Sequence, residues 1–375
     1  MGEEAGRALT TVPARLQMAA QVCDDHVAWK HSFVHRRLLS RAVVALCIRG
    51  LVVAFVLFGP AASAQLLLVV SDGAPAYGEV ADEVRNRVAA SAPGLRIDVV
   101  HVAEAATFDD RRLGSYRLVV TVGLAAARSV VPLAQASGAR PPLLALLVPR
   151  AGYEELAAAG GATKARMSAI FIEQPLARQL DLVALALPGK VRVGVLLGPT
   201  SIALDGELAE QARARGLQIR RAEARDAGTV YSALRDVLLG SDILLALPDA
   251  VAINAATIRG VLVASNRAQV PVLGFSQALV DAGALLAVYT TPQQYARHAA
   301  EIATQSLAQH APLPRAQYPR YFTVGVNFFA ARALGLAVEN ETTLAAELAA
   351  RDRARDNDHP QTSSLAPDHA GASRP

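Results

Sequence analysis

Cysteine and lysine are nearly absent from this sequence. Its two cysteines, Cys23 and Cys47, both precede residue 65, so the long remainder of the 375-residue chain contains no thiol. That remainder can therefore form no disulfide framework and perform no thiol chemistry. Lysine occurs three times, so arginine supplies nearly all of the positive charge.

Net charge is also small once the chain is divided at residue 65. Residues 1–64 contain seven Lys or Arg and four Asp or Glu, whereas the other 311 residues contain 30 bases and 29 acids. A nearly neutral body argues against a broad basic surface for nucleic acid. Hydrophobic residues make up 52% of the chain, which excludes a disordered protein and supplies a sizeable core. The length fits two domains or one large domain.

Catalytic and metal-binding motifs are missing. The sequence has no H-E-x-x-H, no P-loop and no G-x-G-x-x-G, and residues 274–278 miss the nucleophile-elbow pattern because Ala278 stands where glycine is needed. The histidines beyond residue 64 are scattered, without an i,i+4 pair. We therefore expect no metal, no cofactor and no enzymatic activity, while a triad assembled in three dimensions would leave no trace in the spacing.

The first 64 residues have the pattern of an export signal. A basic cluster at 35–41 precedes an apolar run at 42–58, a Gly-Pro pair, and then Ala62-Ser63-Ala64. This order predicts a secretory signal peptide cleaved after Ala64 and a periplasmic product. The alternative is an uncleaved membrane anchor, because the apolar stretch approaches the roughly 20 residues that a span needs.

Residues beyond the leader alternate between apolar strand-like runs and helical patterns. The runs lie at 65–70, 95–102, 117–122, 143–148, 168–172, 191–197, 218–222, 242–247, 270–274, 285–289 and 321–326. Such alternation predicts an α/β fold in which helices cover a mainly parallel sheet. One of the predicted helices begins at Asn254. Residues 351–375 have almost no apolar content and are predicted to be a disordered tail.

The ends of the predicted strands supply the candidate ligand-binding residues. Ligands of open α/β sheets bind beyond the carboxyl ends of the strands, where helix N-termini offer free amides. The residues at these positions are Ser71, Asp72, Tyr77, Gly123, Thr200, Ser201, Asp249, Phe275 and Ser276. Hydroxyls, two carboxylates and two aromatic rings suit a small zwitterion such as an amino acid. The alternative is that Ser, Thr and Asp here cap helices and that Gly serves backbone geometry.

Four segments carry a resemblance to a known family: residues 179–196, 242–249, 270–285 and 324–336. Over most of residues 66–345 the chain resembles periplasmic substrate-binding components of ABC transporters, in the group that includes tryptophan/tyrosine-type binding proteins. The resemblance implies a type I periplasmic-binding-protein fold with two Rossmann-like lobes joined by three crossing segments, near 170–174, 288–291 and 312–320. It adds Leu124, where the family often has a hydroxyl, and Tyr289, in the second crossing, to the candidate ligand residues.

The resemblance also implies the domain boundaries and the function. Lobe 1 is expected to comprise residues 65–171 and 291–311, and lobe 2 residues 172–289 and 321–345. The expected function is that of a monomeric solute-binding protein that passes a small polar, amino-acid-like ligand to an ABC permease in the inner membrane. The alternative is a periplasmic sensor that acts with a membrane kinase or receptor, because apolar Leu124 replaces a ligand-facing hydroxyl. A transcriptional regulator is disfavoured, since an export signal stands where a helix-turn-helix would be needed.

Overall fold

The computed structural model of the chain describes residues 65–136, 140–159, 161, 166–309 and 311–358. The predicted signal peptide and its cleavage site lie outside these residues, as does the predicted tail beyond residue 358. The strands of the described part are β1 (Leu66–Val70), β2 (Ile97–His101), β3 (Leu118–Val122), β4 (Leu143–Val148), β5 (Met167–Phe171), β6 (Arg192–Leu197), β7 (Gln218–Glu223), β8 (Ile243–Leu245), β9 (Val272–Gly274), β10 (Leu286–Tyr289) and β11 (Thr323–Val326).

Helices connect almost all of these strands. They are α1 (Pro75–Ser91), α2 (Val102–Ala105), α3 (Asp110–Gly114), α4 (Leu124–Ala136), α5 (Arg150–Ala159), α6 (Leu176–Ala186), α7 (Asp205–Arg213), α8 (Val230–Leu238), α9 (Ile258–Arg267), α10 (Gln277–Asp281), α11 (Pro292–Gln309), α12 (Phe328–Ala333) and α13 (Glu341–Asp358). Among the described residues, no helix is both long enough and apolar enough to cross a membrane.

The strands form two separate sheets. The first has five parallel strands in the order β2-β1-β3-β4-β5. The second has six strands in the order β11-β10-β9-β8-β6-β7, parallel except for the β10–β11 pair. We call each sheet with the helices that pack on it a lobe, the first and the second. The predicted α/β class with two Rossmann-like lobes is confirmed.

Each sheet is buried on both of its faces. In β1, Leu66, Leu68 and Val70 enter the core between the first sheet and helices α1 and α11, whereas Leu67 and Val69 enter the core on the opposite face. Continuous apolar strands are typical of parallel sheets that are covered on both sides. The edge strand β7 instead places charged side chains in solvent, which discourages pairing with another chain.

Three crossing segments meet in one hydrogen-bond network. The Gln174 side-chain amide donates to Thr290 Oγ1 at 2.7 Å, and the Thr290 hydroxyl donates to the carbonyl of Tyr321 at 2.8 Å. Gln317 extends the edge of the first sheet, because it forms a parallel bridge to Ile170 of β5. The side chains of the first two crossings and the backbone of the third therefore define the link between the lobes.

Two local features differ from the sequence prediction. The helix expected from Asn254 begins at Ile258, because the Asn254 carboxamide accepts hydrogen bonds from the amides of Ala256 and Thr257 and forms a turn instead. The tail expected to be disordered from residue 351 is helical to Asp358. The reason is that α13 buries Leu344 and Leu348 against the second lobe, and charged side chains hold its last turns.

Those last turns are held by ion pairs to α6. Arg178 donates to Asp352 at 2.6 Å, and Arg355 bonds to the carboxylate of Asp181. Asp181 also binds Arg215 at the end of α7 at 2.8 Å. Its side chain is only 7% exposed and that of Arg215 11% exposed, so both charges are screened little by solvent.

We predict that Asp181→Ala lowers the free energy of unfolding by about 3 kcal/mol, because it leaves buried guanidinium groups without their anion. Urea denaturation measures this loss. The matched control is Asp82→Ala, since Asp82 pairs with Arg85 on the surface of α1 with 61% of its side chain exposed; such pairs contribute about 0–1 kcal/mol. Equal losses in the two variants would contradict the assigned role of Asp181.

A second prediction concerns His298, which is 1% exposed in α11. Its Nδ1 accepts a hydrogen bond from the backbone amide of Arg320, and its Nε2 has no partner among the described residues. Burial, and after it the neighbouring charge of Arg320, lower the pKa of His298 to about 4, although the carboxylate of Glu301 acts in the opposite direction. The folded protein therefore holds a neutral imidazole.

Since the folded-state pKa lies below the ordinary value of 6.5, the unfolded chain binds more protons between these two values. Stability from this group is complete above pH 6.5 and is lost as the pH falls towards 4, by about 3 kcal/mol at most. We predict that His298→Asn, whose Oδ1 can replace Nδ1 as acceptor, flattens this part of the profile. Unfolding curves at several pH values would contradict the prediction if both proteins lost stability in parallel.

Candidate ligand-binding site

The candidate residues lie at the carboxyl edges of the two sheets. Ser71, Asp72, Gly123 and Leu124 follow the adjacent strands β1 and β3 of the first sheet, and Tyr77 lies in the first turns of α1. In the second sheet, Thr200 and Ser201 follow β6, Asp249 follows β8, Phe275 and Ser276 follow β9, and Tyr289 ends β10. The strand topology therefore groups five of these residues in the first lobe and six in the second.

Asp249 is the centre of the polar cluster in the second lobe. Its Oδ2 accepts hydrogen bonds from the amide and the hydroxyl of Thr200 and from those of Ser201, at 2.8 to 3.0 Å. Its Oδ1 accepts from the amides of Val251 and Ala252 at 2.7 and 2.8 Å. Six donors therefore occupy a buried carboxylate, and its bonds join the loop after β6 to the loop after β8.

These bonds determine the charge state of Asp249. Burial alone would raise its pKa, but the hydrogen bonds from Ala252, Val251, Ser201 and Thr200 outweigh burial and lower the pKa to about 2. A side chain on Gly198 would place its first carbon 2.1 Å from Asp249 Oδ1, so the cluster also requires glycine there. Asp249 is thus an ionised structural anchor of two loops.

Ser71 has a similar structural role in the first lobe. Its buried hydroxyl accepts a hydrogen bond from the amide of Ala126 at 2.8 Å, in the first turn of α4. Gly123 has a φ of +91°, and a side chain there would come within 2.6 Å of Ser71 Oγ and 3.2 Å of the Tyr77 ring. Leu124 packs against Gly152 of α5. Ser71, Gly123 and Leu124 therefore build the strand ends, and Tyr77 lies half-buried beside them.

The other candidates divide into exposed and engaged side chains. Asp72 is 68% exposed, with His101 3.4 Å from its carboxylate. Ser276 caps α10 by accepting from the amide of Leu279, and Phe275 packs partly against the core of the second lobe. The Tyr289 hydroxyl donates to Gln277 of α10 at 2.6 Å. A role in ligand binding for these residues stays a prediction.

Arg150 is a charged strand-end residue that the sequence analysis did not select. It follows β4 after Pro149 and begins α5. Leu147, three residues earlier, has a φ of +54°. It is the extra residue of a β-bulge, because Leu146 pairs with Ile170 and Val148 pairs with Phe171. A left-handed leucine is strained, and such bulges redirect side chains near functional sites.

The guanidinium group of Arg150 contacts both lobes. Its Nε donates to Glu154 of α5 at 3.0 Å, and its Nη1 donates to Glu207 of α7 at 2.8 Å and to the Tyr318 hydroxyl at 3.0 Å. The backbone amide of Arg150 donates to both oxygens of Glu173 at 3.1 Å. Glu207 belongs to the second lobe, so this cluster joins the carboxyl edge of the first sheet to a helix of the other lobe.

Glu173 completes this cluster from the first crossing. Burial raises the pKa of its carboxyl group, although the hydrogen bonds from its own amide and that of Arg150 lower it. A carboxylate at the N-terminus of α5 also complements the helix dipole. In the sequence, Val148-Pro149-Arg150 ends a predicted strand, so selecting residues at strand ends would also have selected Arg150. Glu207 could not have been found in this way, because it lies within a helix.

The described residues contain no group of three or more His, Cys, Asp or Glu side chains arranged to hold a metal ion. The polar groups named above at these edges are hydroxyls, carboxylates, the imidazole of His101 and the guanidinium group of Arg150. Such groups bind and orient polar molecules.

Residues 170–347 match the family described as ABC transporter substrate binding protein. This stretch begins in β5 and contains the whole second sheet, all three crossing segments and the first turns of α13. No curated protein matches the chain by sequence.

Several solved structures share the fold. A ligand-free, open substrate-binding protein with adhesive properties from Clostridium difficile is 15% identical, with a TM-score of 0.57 over 74% of this chain and 96% of that one. A conserved domain protein from Vibrio cholerae is 19% identical, with a TM-score of 0.51 over 76% and 98%. An ABC domain from Streptococcus pneumoniae in complex with L-Trp is 14% identical, with a TM-score of 0.51 over 75% and 98%.

At these identities the structural similarity is one of fold. It covers both lobes, whereas the family match covers the second lobe and the crossings. Together they support the resemblance found in the sequence: residues 170–347 match the ABC transporter substrate-binding proteins, and the fold of the described chain agrees with that match.

Proposed function

We propose that this protein is a periplasmic solute-binding protein that binds a small amino-acid-like metabolite between its lobes and delivers it to the permease of an ABC-type importer. The family match over residues 170–347 is the observation on which the proposal depends. Proteins of this kind take a ligand between two lobes and close on it by bending at the crossings. The network of Gln174, Thr290 and Tyr321 is suited to such a hinge, since two short hydrogen bonds join the three segments.

The charged and aromatic side chains near the strand ends support an amino-acid-like ligand. Asp249 is fully occupied by the loops of the second lobe, so it does not serve as the partner of a ligand ammonium group. Asp72 and Glu173 supply negative charge and Arg150 supplies positive charge. Half-buried Tyr77 and Phe275 add apolar surface. Both signs of charge beside aromatic rings suit a zwitterion with an apolar body.

A sensor that acts with a membrane kinase remains the second candidate. Leu124 packs against Gly152 and offers no hydroxyl to a ligand, which is the observation in its favour. Pull-down of detergent-solubilised inner-membrane proteins separates the two roles: an importer component retains a permease, and a sensor retains a kinase ectodomain.

We predict that at least one natural amino acid or closely related zwitterion raises the melting temperature of the purified protein. At a hundredfold excess over its dissociation constant, a ligand that binds only the folded state adds about 2.7 kcal/mol of stability. Differential scanning fluorimetry across such a panel measures the shift. A panel without any shift, or turnover of a compound, would contradict the proposal.

The two strand-end aspartates should respond differently to substitution. Asp249→Asn removes the charge that six donors share, so we predict a loss of about 2–4 kcal/mol in the free energy of unfolding. Asp72→Asn is the matched control: its exposed side chain should leave stability within about 0.5 kcal/mol while weakening the response to a zwitterionic ligand. Urea denaturation decides the first point, and an unchanged Asp249→Asn protein would show that the carboxylate does not anchor the loops.

A further inference from the structure

One ion pair joins a helix of the first lobe directly to a helix of the second, away from the crossing backbone. Arg150 Nη1 lies 2.8 Å from Glu207 Oε2, with 35% of the arginine side chain and 32% of the glutamate side chain exposed. A charged hydrogen bond of this length is among the stronger polar contacts. It can form only while α5 and α7 lie close together, so its presence depends on the relative position of the lobes.

Arg150 is held in place from its own side. Glu173 accepts hydrogen bonds from its backbone amide, Glu154 binds Nε, and the Tyr318 hydroxyl accepts from Nη1. The Tyr318 ring is fixed in turn by an edge-to-face contact with Phe171, with ring centroids 5.3 Å apart. Because these partners belong to the first lobe and to the first and third crossings beside it, the guanidinium group is oriented before Glu207 approaches.

The backbone that leads to Arg150 is strained. The backbone of Leu147 is in the left-handed region within the bulge of β4. Residues other than glycine seldom adopt this conformation. Packing of Leu147 in the core between the first sheet and helix α11 compensates for this strain. The bulge shifts the strand by one residue, so it determines which side of the sheet edge Arg150 reaches.

From these contacts we propose that Arg150 and Glu207 form a latch that holds the two lobes, without ligand, in the arrangement seen here, which we call closed. The inference rests on the proposed function only in that the lobes move about the crossings. The latch sets the fraction of molecules that are closed. For a ligand that needs the closed form, the apparent dissociation constant equals the intrinsic one divided by this fraction. Arg150 is thus a positioning residue for the lobes, and its effect should weaken as ionic strength rises.

The latch is tested by measuring the distance between the lobes in the full chain. Cys23 and Cys47 are replaced by Ser, and spin labels are attached at Asn86→Cys on α1 and Asp236→Cys on α8, two exposed helical positions. Double electron–electron resonance then gives the distance distribution without any ligand. The variant is Glu207→Ala, and the matched control is Glu155→Ala, which removes a carboxylate of α5 from an ion pair within the first lobe, that with Arg128.

We expect Glu207→Ala to populate a second, longer distance and to raise the open-to-closed ratio about fivefold. Glu155→Ala should give the distribution of the parent protein, and added salt should move the parent protein towards the distribution of Glu207→Ala. Unchanged distances in Glu207→Ala, or equal changes in the two variants, would overturn the latch. Circular dichroism melting of each variant shows that it is folded.

Failure of the latch and failure of the proposed function give different results. A protein that binds no compound in the thermal panel but opens in Glu207→Ala retains the latch and loses the transport proposal. A protein that binds a zwitterion but keeps one distance in all variants retains the binding function and loses the latch.

Discussion

Burial of both faces of each sheet is the constraint on which the rest of this structure depends. Helices cover the strands on both sides, so β1, β3, β4 and β5 carry apolar side chains almost without interruption. Polar side chains have no place along such strands, because an unpaired polar group in the core is destabilising. They collect where the strands end, and the parallel topology places these ends along one edge of each sheet.

Position at such an edge does not by itself make a residue available to a ligand. The loops after β6 and β8 need partners for their own backbone amides, and Asp249 supplies them through six hydrogen bonds. Ser71 and Ser276 meet the same need at the starts of α4 and α10. Among the charged side chains at these edges, Asp72 remains exposed, whereas Glu173 accepts from the amide of Arg150, and Arg150 itself is engaged by Glu154, Glu207 and Tyr318.

The sequence predicted the strands well because continuous apolar runs leave little choice of structure: β4 begins and ends where the pattern places it. It was less accurate where side-chain bonding decides the outcome. The Asn254 carboxamide forms a turn in place of the first turn of a helix. In α13, two leucines and the ion pairs of Asp352 and Arg355 stabilise a segment whose composition indicates disorder. Contacts between residues more than 150 positions apart leave no local signal.

The difference between local pattern and long-range contact also explains why the interactions of Arg150 were harder to predict than its position. Its place after β4 follows from the strand pattern, but its function follows from Glu207, a residue in the middle of a helix of the other lobe. Leu147 adds a conformation that sequence alone disfavours. Strain of this kind persists only where surrounding contacts over-determine it, and here the contacts of Glu173, Glu154 and Tyr318 all converge on the residue that the bulge presents. The connection between the lobes therefore depends on contacts between residues far apart in the sequence, whereas the strands of the two sheets follow from the local pattern of apolar residues.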